Sequence, residues 1–407
     1  MRLWLVLFLP FAGGYFLSYL FRIANAVVGP ILAQELSLSA GDLGLLTSAY
    51  FLTFALAQIP LGMLLDRFGS RRVEPALLLF AAAGAALFAS ADSVAALTAG
   101  RALIGVGVSA CLMASFKSFI AWFPSERQAS LSGWIMAAGG LGALAATAPL
   151  EAVLHIASWR LVFYILAALT VAAALWIFLS VPEADHGHTP EPLLAQWRGV
   201  RTVFASAKFW RYAPLGLLQI GGLQAIHGLW AGSWLMQVNG YSRQVAAEHL
   251  AAMSLAMLLT YIAIGLWATS LARRGFKPTT MMAAGIGAAM LTLLAISLQL
   301  STHTLLLWTL YGVFVCFGTL AYSQCAMQFP VLLAGRVNTA FNLMVFVGAF
   351  ALQWGVGLMI DVLSPIQGAT AAHRSVFLAI ASAQIAALLW FLARGRYDTS
   401  TEERTAQ

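Results

Sequence analysis

The chain has 407 residues, of which 61% are hydrophobic and only 9% charged. Its mean hydropathy is +0.84 and its formal net charge +7. A soluble domain carries about 25% charged residues, so composition excludes a soluble fold and leaves a chain whose solvent is lipid.

Taken in order, twelve apolar segments are legible, at 8–32, 42–64, 74–91, 95–121, 130–152, 160–181, 212–236, 247–270, 279–299, 303–327, 338–362 and 374–393. Each is long enough to cross about 30 Å of hydrocarbon as a helix. No run alternates as a barrel strand would. The opening "MRLWLVLFLPFAGG" lacks a small-x-small cleavage site and runs into further apolar sequence, so it reads as part of the first span. Cys111, Cys316 and Cys325 all fall in apolar stretches without metal-type spacing, and read as packing residues. The long polar stretch "PEADHGHTPEPLLAQWRGVRTVFASAKFW" reads as a linker carrying a surface helix. The chain is therefore expected to be an all-α membrane protein of 12 transmembrane helices. Residues 1–182 form one six-helix bundle, 183–211 a cytoplasmic linker, 212–393 a second bundle and 394–407 a cytoplasmic tail.

Positive charge orients the spans. With the N-terminus inside, 16 of the 22 Lys and Arg residues fall on the inner side, three on the outer side and three within spans. Both termini are expected in the cytoplasm. The basic balance is thus a topology signal, and no nucleic-acid partner is expected.

After the second span comes "GMLLDRFGSRR", Gly62 to Arg72. It resembles the G-x-L-x-D-R-x-G-R-[RK] signature of the major facilitator superfamily, in the loop between helices 2 and 3. The physics is readable: Gly62 lets helices approach, Asp66 ends helix 2 as a fixed negative charge, and Gly69 permits the tight turn. Arg67, Arg71 and Arg72 hold the cytoplasmic face. "RALIGVGVS" (Arg101, Gly105, Gly107) resembles the family's helix 4 motif, and "FPSER" (Glu126, Arg127) the charge pair that follows it. "ATSLARRGFK", aligned on Gly275, reads as a second copy of the loop that has lost its acid. The resemblance implies two bundles related by a pseudo-two-fold axis along the membrane normal. It further implies a monomeric secondary transporter of a bacterial inner membrane rather than an enzyme, with no cofactor. Symport or antiport with a coupling proton or counter-anion would follow, and in the family this loop latches the halves and exchanges its charge pairs as the halves rock.

Within the first span, Tyr15, Ser18, Tyr19, Arg22, Asn25 and Gly29 lie three or four residues apart and share one face. A charge at mid-membrane costs at least about 2.5–3.5 kcal/mol and marks a functional site by default. "FRIANAVVGP" also looks like the Arg-x-x-Asn helix 1 of the family's organic-anion and nitrate-type branches. The loop copies are offset by 206 residues, which carries Arg22 onto Gly228, beside His227. Transporter sites lie at mid-membrane between repeats. Arg22, Asn25, Tyr19, His227, Trp230, Tyr311 and Asn342 are accordingly the candidate substrate-binding residues. A structural hydrogen bond for Arg22 and a satisfied core position for His227 stay open at this stage.

All 15 acidic residues read as loop, tail or span-end positions. With no mid-membrane carboxylate to neutralise Arg22, a small anionic substrate could supply the counter-charge. Two alternatives remain. His249, Met253 and Met257 stand at i, i+4, i+8, a donor set suited to Cu(I); it resembles a copper-importing branch of the family, although helix 7 lacks that branch's Met-x-x-x-Met. Drug or metabolite efflux is the other; "MAAGGLGALAATAP" has the glycines of the drug antiporters' helix 5 but not their Gly-Pro pair.

Overall fold

The computed structural model describes residues 4–124, 127–183, 201–330 and 333–405. Among them every element is helical, as lipid requires of a chain that must satisfy its own backbone polar groups. The twelve helical runs are α1 (9–35), α2 (Ala40–Phe68), α3 (Ser70–Ser90), α4 (Val94–Trp122), α5 (128–154), α6 (Trp159–Ser180), α7 (207–237), α8 (Arg243–Arg273), α9 (Pro278–Ser297), α10 (Thr304–Ala326), α11 (Ala334–Gln367) and α12 (Ala369–Thr405). Eleven contain a stretch long and apolar enough to cross a membrane. The exception is α7, where π-helical turns at Leu215–Ile220 and Ile226–Trp230 separate three short α segments. Of the expected linker helix, residues 201–204 form one helical turn, and 184–200 lie outside the described residues.

The termini of the helices follow from local chemistry. Ser39 and Asp42 make a reciprocal capping box that starts α2. Ser93 and Ser158 accept from backbone N–H groups at the starts of α4 and α6. Gly69 has φ +73° and Gly275 φ +93°. Both copies of the loop motif thus turn on a left-handed glycine, a conformation costly for any residue with a Cβ. Gly69 lets α3 begin at Ser70, four residues before the expected span. Gly62 departs from expectation: a Cβ there would meet nothing within 4 Å, because it lies on the exposed face of α2 while Leu61 and Leu65 turn inward.

The packing repeats. In the first six helices α1 lies against α5, α2 against α4, and α3 against both α4 and α6. In the last six, α7 lies against α11, α8 against α10, and α9 against both α10 and α12. Across the two sets the partners are α2 with α11, α5 with α8 and α1 with α7. Exchanging the sets maps every pair onto another.

The sets are joined firmly at the end where α2 begins and α11 ends. The backbone N–H groups of Ala40 and Gly41 donate to Asp361 at 2.9 and 2.7 Å. Gly357 brings α11 onto the Ala40 carbonyl, where a Cβ would stand 2.2 Å away. Arg243 at the start of α8 donates to Glu151 of α5 at 2.7 Å.

At the same end, Trp159 donates its indole N–H to Glu35 at 2.6 Å, and Arg160 ion-pairs with Glu35 and Asp92. These bonds, the indole first, hold the Glu35 carboxyl below the usual glutamate range. A depressed carboxyl stabilises the fold above its unfolded pKa and loses that effect as pH falls through its folded value. The melting temperature is therefore expected to fall below about pH 4.5, and Trp159→Phe with Arg160→Gln to flatten that decline. The effect is small because the cluster is solvent-screened. Melting curves of the two proteins between neutral and acid pH check it; an unchanged slope would rule Glu35 out.

Candidate substrate site

Helix α1 divides at Ala24 into Leu9–Ile23 and Asn25–Glu35, immediately after Arg22. Pro30 lacks the N–H that would bond the Ala26 carbonyl. Gly232 of α7 faces that carbonyl, and a Cβ on it would stand 2.7 Å away. The backbones of α1 and α7 thus meet closely just beyond Arg22.

Arg22 is 5% exposed. Its guanidinium carbon lies 4.4 Å from the Tyr19 ring centre, 5.3 Å from Phe54, 5.4 Å from Phe346 and 5.9 Å from Tyr50. Phe54 of α2 and Phe346 of α11 stack at 4.3 Å, so the box draws its walls from both helix sets. Its Nε donates to the Tyr50 hydroxyl at a long 3.5 Å. Among the described residues no carboxylate pairs with it. Cation–π contacts contribute about 0.5–2 kcal/mol each, which holds the charge in place without neutralising it.

A second guanidinium lies near the same tyrosine. Arg101 of α4 is fully buried, and its carbon stands 5.1 Å from the same Tyr50 ring. One Nη donates to the Phe21 carbonyl at 2.8 Å, while Nε and the other Nη have no partner. Arg101, which belongs to the helix 4 motif, thus lies against the same Tyr50 ring as Arg22. Further unpartnered polar atoms lie on the surrounding helices: Ser18 Oγ, Asn25 Oδ1 and both side-chain polar atoms of Gln353. Asn25 Nδ2 donates to Thr47 at 3.0 Å. The glycines of α5 seat the aromatic wall, since a Cβ on Gly139 would meet the rings of Tyr15 and Tyr19.

The repeat offset places the facing backbone correctly. Gly228 lies opposite Arg22, a Cβ there meeting the Arg22 carbonyl at 3.8 Å and Gln353 Oε1 at 3.9 Å. His227 bonds Ser254 of α8 at 2.9 Å. Trp230 donates to the Gln353 carbonyl at 3.0 Å, and Asn342 accepts from Tyr322 at 2.7 Å. Tyr311 packs edge-on to Trp308 with its hydroxyl unpartnered. The residues gathered on Arg22 are thus Tyr19, Tyr50, Phe54 and Phe346, with Asn25 on the adjoining turn and Arg101 reached through Tyr50. Tyr50, Phe54 and Phe346 were not singled out in the sequence, although Thr47, Tyr50 and Phe54 share a face of α2.

In the loop motif, Arg71 donates to the Phe178 carbonyl at 3.0 Å, and both Arg71 and Arg72 pair with Glu183. Arg67 lies over the Phe68 ring at 5.2 Å. Arg127 caps α5. The Asp66 side chain and Glu126 lie outside the described residues. Lys117 donates to the Leu65 carbonyl at 2.8 Å. Of the alternative metal set, His249 engages the Val245 carbonyl and Thr304 with its two ring nitrogens, at 2.8 and 3.0 Å. Met253 is buried against Gly312, and the Met257 carbonyl accepts from Cys316.

The family model of the Major Facilitator Superfamily matches residues 11–353. The chain belongs to the major facilitator superfamily. With eleven helices long and apolar enough to cross a membrane among the described residues, it is a multi-pass membrane protein of that family. Over 177 residues it is 32% identical to the "Probable galactarate/D-glucarate transporter GarP" of Escherichia coli, covering 42% of this chain and 40% of that one. Over 175 residues it is 26% identical to the "Probable sulfoacetate transporter SauU" of Cupriavidus necator, covering 43% and 41%. These matches span about two fifths of each relative. Among solved structures, a bacterial homologue of the human lysosomal transporter Spinster, in an inward-facing and occupied conformation, superposes with a TM-score of 0.75 at 18% identity over 96% of both chains. A D-xylose–proton symporter superposes with 0.77 at 14% identity over 94% and 96%. Both establish the fold alone.

Proposed function

We propose that this superfamily transporter moves a small carboxylate, of the sugar-acid kind, across a bacterial inner membrane by alternating access. The observation that carries the reading is Arg22: a buried guanidinium, boxed by aromatic rings, with no acid beside it among the described residues. A carboxylate entering the box would gain two charge-assisted hydrogen bonds in the geometry a guanidinium offers. Arg101, with two unpartnered nitrogens at the same tyrosine, adds positive field. Tyr19 would cover the sugar, and Asn25 Oδ1 and the Gln353 amide would take its hydroxyls. That relatives are named for galactarate, D-glucarate and sulfoacetate, all anions, supports the same class.

The bundles at 1–182 and 212–393 would rock about the cross-pairs α2–α11, α5–α8 and α1–α7. The charge count puts the joined end outside and both termini in the cytoplasm, so this conformation is closed outward. The copper reading loses support from His249, whose nitrogens are both engaged.

A panel of D-glucarate, D-galacturonate, sulfoacetate, neutral sugars and Cu(I) tests the proposal by melting temperature of the purified protein. Ligand binding to the folded state alone raises it by mass action. Stabilisation by acids and not by their neutral sugars is expected. Stabilisation by neutral sugars or Cu(I) alone would overturn the reading.

A further inference from the structure

Glu74 lies one turn inside α3, and its side chain is fully buried. Read as a span-end residue in the sequence, it is instead enclosed between α1, α4 and α6, because α3 starts directly after the Gly69 turn. Both of its carboxyl oxygens lack a hydrogen-bond partner. Oε1 presses on Gly14 of α1, where a Cβ would stand 2.7 Å away, with Ile177 of α6 beside it.

Among the described residues no cation comes to meet it. On α3 itself, Arg71 and Arg72 turn to Glu183 and the Phe178 carbonyl. On α4, Arg101 bonds the Phe21 carbonyl and Lys117 the Leu65 carbonyl. On α1, Arg22 sits in its aromatic box, and the Tyr15 hydroxyl contacts Met136. On α6, Arg160 is at the far end with Glu35 and Asp92. Among the described residues the titratable group that acts on Glu74 is the thiol of Cys111, a weak donor that falls short of hydrogen-bond geometry.

A carboxylate buried without donors or a counter-ion carries a desolvation penalty so large that the group takes up a proton instead. Intramembrane acids of this kind mark proton pathways. We propose that Glu74 is the site at which this transporter binds the proton it moves together with its anionic substrate. The inference rests on the anion reading above. In the closed-outward conformation the carboxyl is neutral; rearrangement of α1 against α3 admits water or a cation and releases the proton. One carboxylate moved with one proton transfers no net charge.

Glu74→Gln mimics the neutral acid in shape and fixes the site in that state, and two readouts test it. The infrared carbonyl band of a neutral carboxylic acid, recorded at neutral pH, is expected in the wild type and missing from Glu74→Gln. In proteoliposomes holding D-galacturonate on both sides, the variant should exchange substrate at the wild-type rate. Accumulation driven by a pH gradient should fall about tenfold or more. No band difference, retained pH-driven accumulation, or equal loss of exchange and accumulation in folded variant would each overturn the proposal. If the wild type moves none of the acids, the anion reading fails, and the infrared band still decides whether Glu74 holds a proton.

Discussion

Arg22→Gln is expected to remove the rise in melting temperature that a sugar acid gives the wild-type protein, and with it substrate uptake. Charge-assisted hydrogen bonds contribute about 1.5–3 kcal/mol each, so losing the guanidinium should weaken binding by about 10- to 100-fold. Arg22→Lys keeps the charge and loses the fork that matches a carboxylate, and it should recover only part of the affinity. Tyr50→Phe, which removes the one hydroxyl touching Nε, should cost less than either. The ligand-free protein should respond in the opposite sense. Arg22 is a buried charge with no acid beside it among the described residues, so the glutamine variant should melt at the same temperature or higher. A structural arginine would give the reverse pattern: a less stable apo protein and unchanged ligand response. Melting curves with and without D-galacturonate separate the two, and uptake assays confirm which applies.

Most of the spans were legible because lipid imposes one rule along their whole length. The polar stripe of α1 was legible for the same reason, as Arg22 and Tyr19 belong to one helix and their spacing fixes their shared face. What α2 and α11 bring to the box was not, since Tyr50, Phe54 and Phe346 meet Arg22 only through the packing of separate helices. His227 shows how fine the margin is. The repeat offset landed on Gly228, and Gly228 does face Arg22. Neighbouring residues on a helix point about 100° apart, so the histidine one place earlier turns to Ser254 of α8 instead. The π turns of α7 escaped the sequence altogether, because periodicity at 3.6 residues says nothing of a local insertion. Glu74 was misread through a boundary: four residues of error in the start of α3 separate a span-end acid from a buried one.

The other large effect should come from the end where the two sets are joined. Glu151 is 3% exposed and its Oε1 takes Arg243 Nε at 2.7 Å, while Arg243 itself is 36% exposed. Truncating the arginine leaves the buried carboxylate with only the exposed His155 at 3.6 Å, a loss of up to about 3 kcal/mol. That stress has two outlets, unfolding or separation of α5 from α8, because parting the two sets would bring Glu151 to water. Arg243→Ala should therefore lower the melting temperature and also populate a conformation open at this end. Asp361→Asn, which weakens the cap on the first N–H groups of α2, should push the same way with less force. The paired variant Glu151→Gln with Arg243→Gln removes the stranded charge, so it should recover most of the stability lost by Arg243→Ala. Thiol-reagent access to single cysteines placed on the outer ends of α5 and α8 measures the opening, and melting curves measure the stability. Strictly additive effects in the paired variant would show that the two residues act independently, and the closure would then rest on the backbone contacts of Ala40, Gly357 and Asp361 alone.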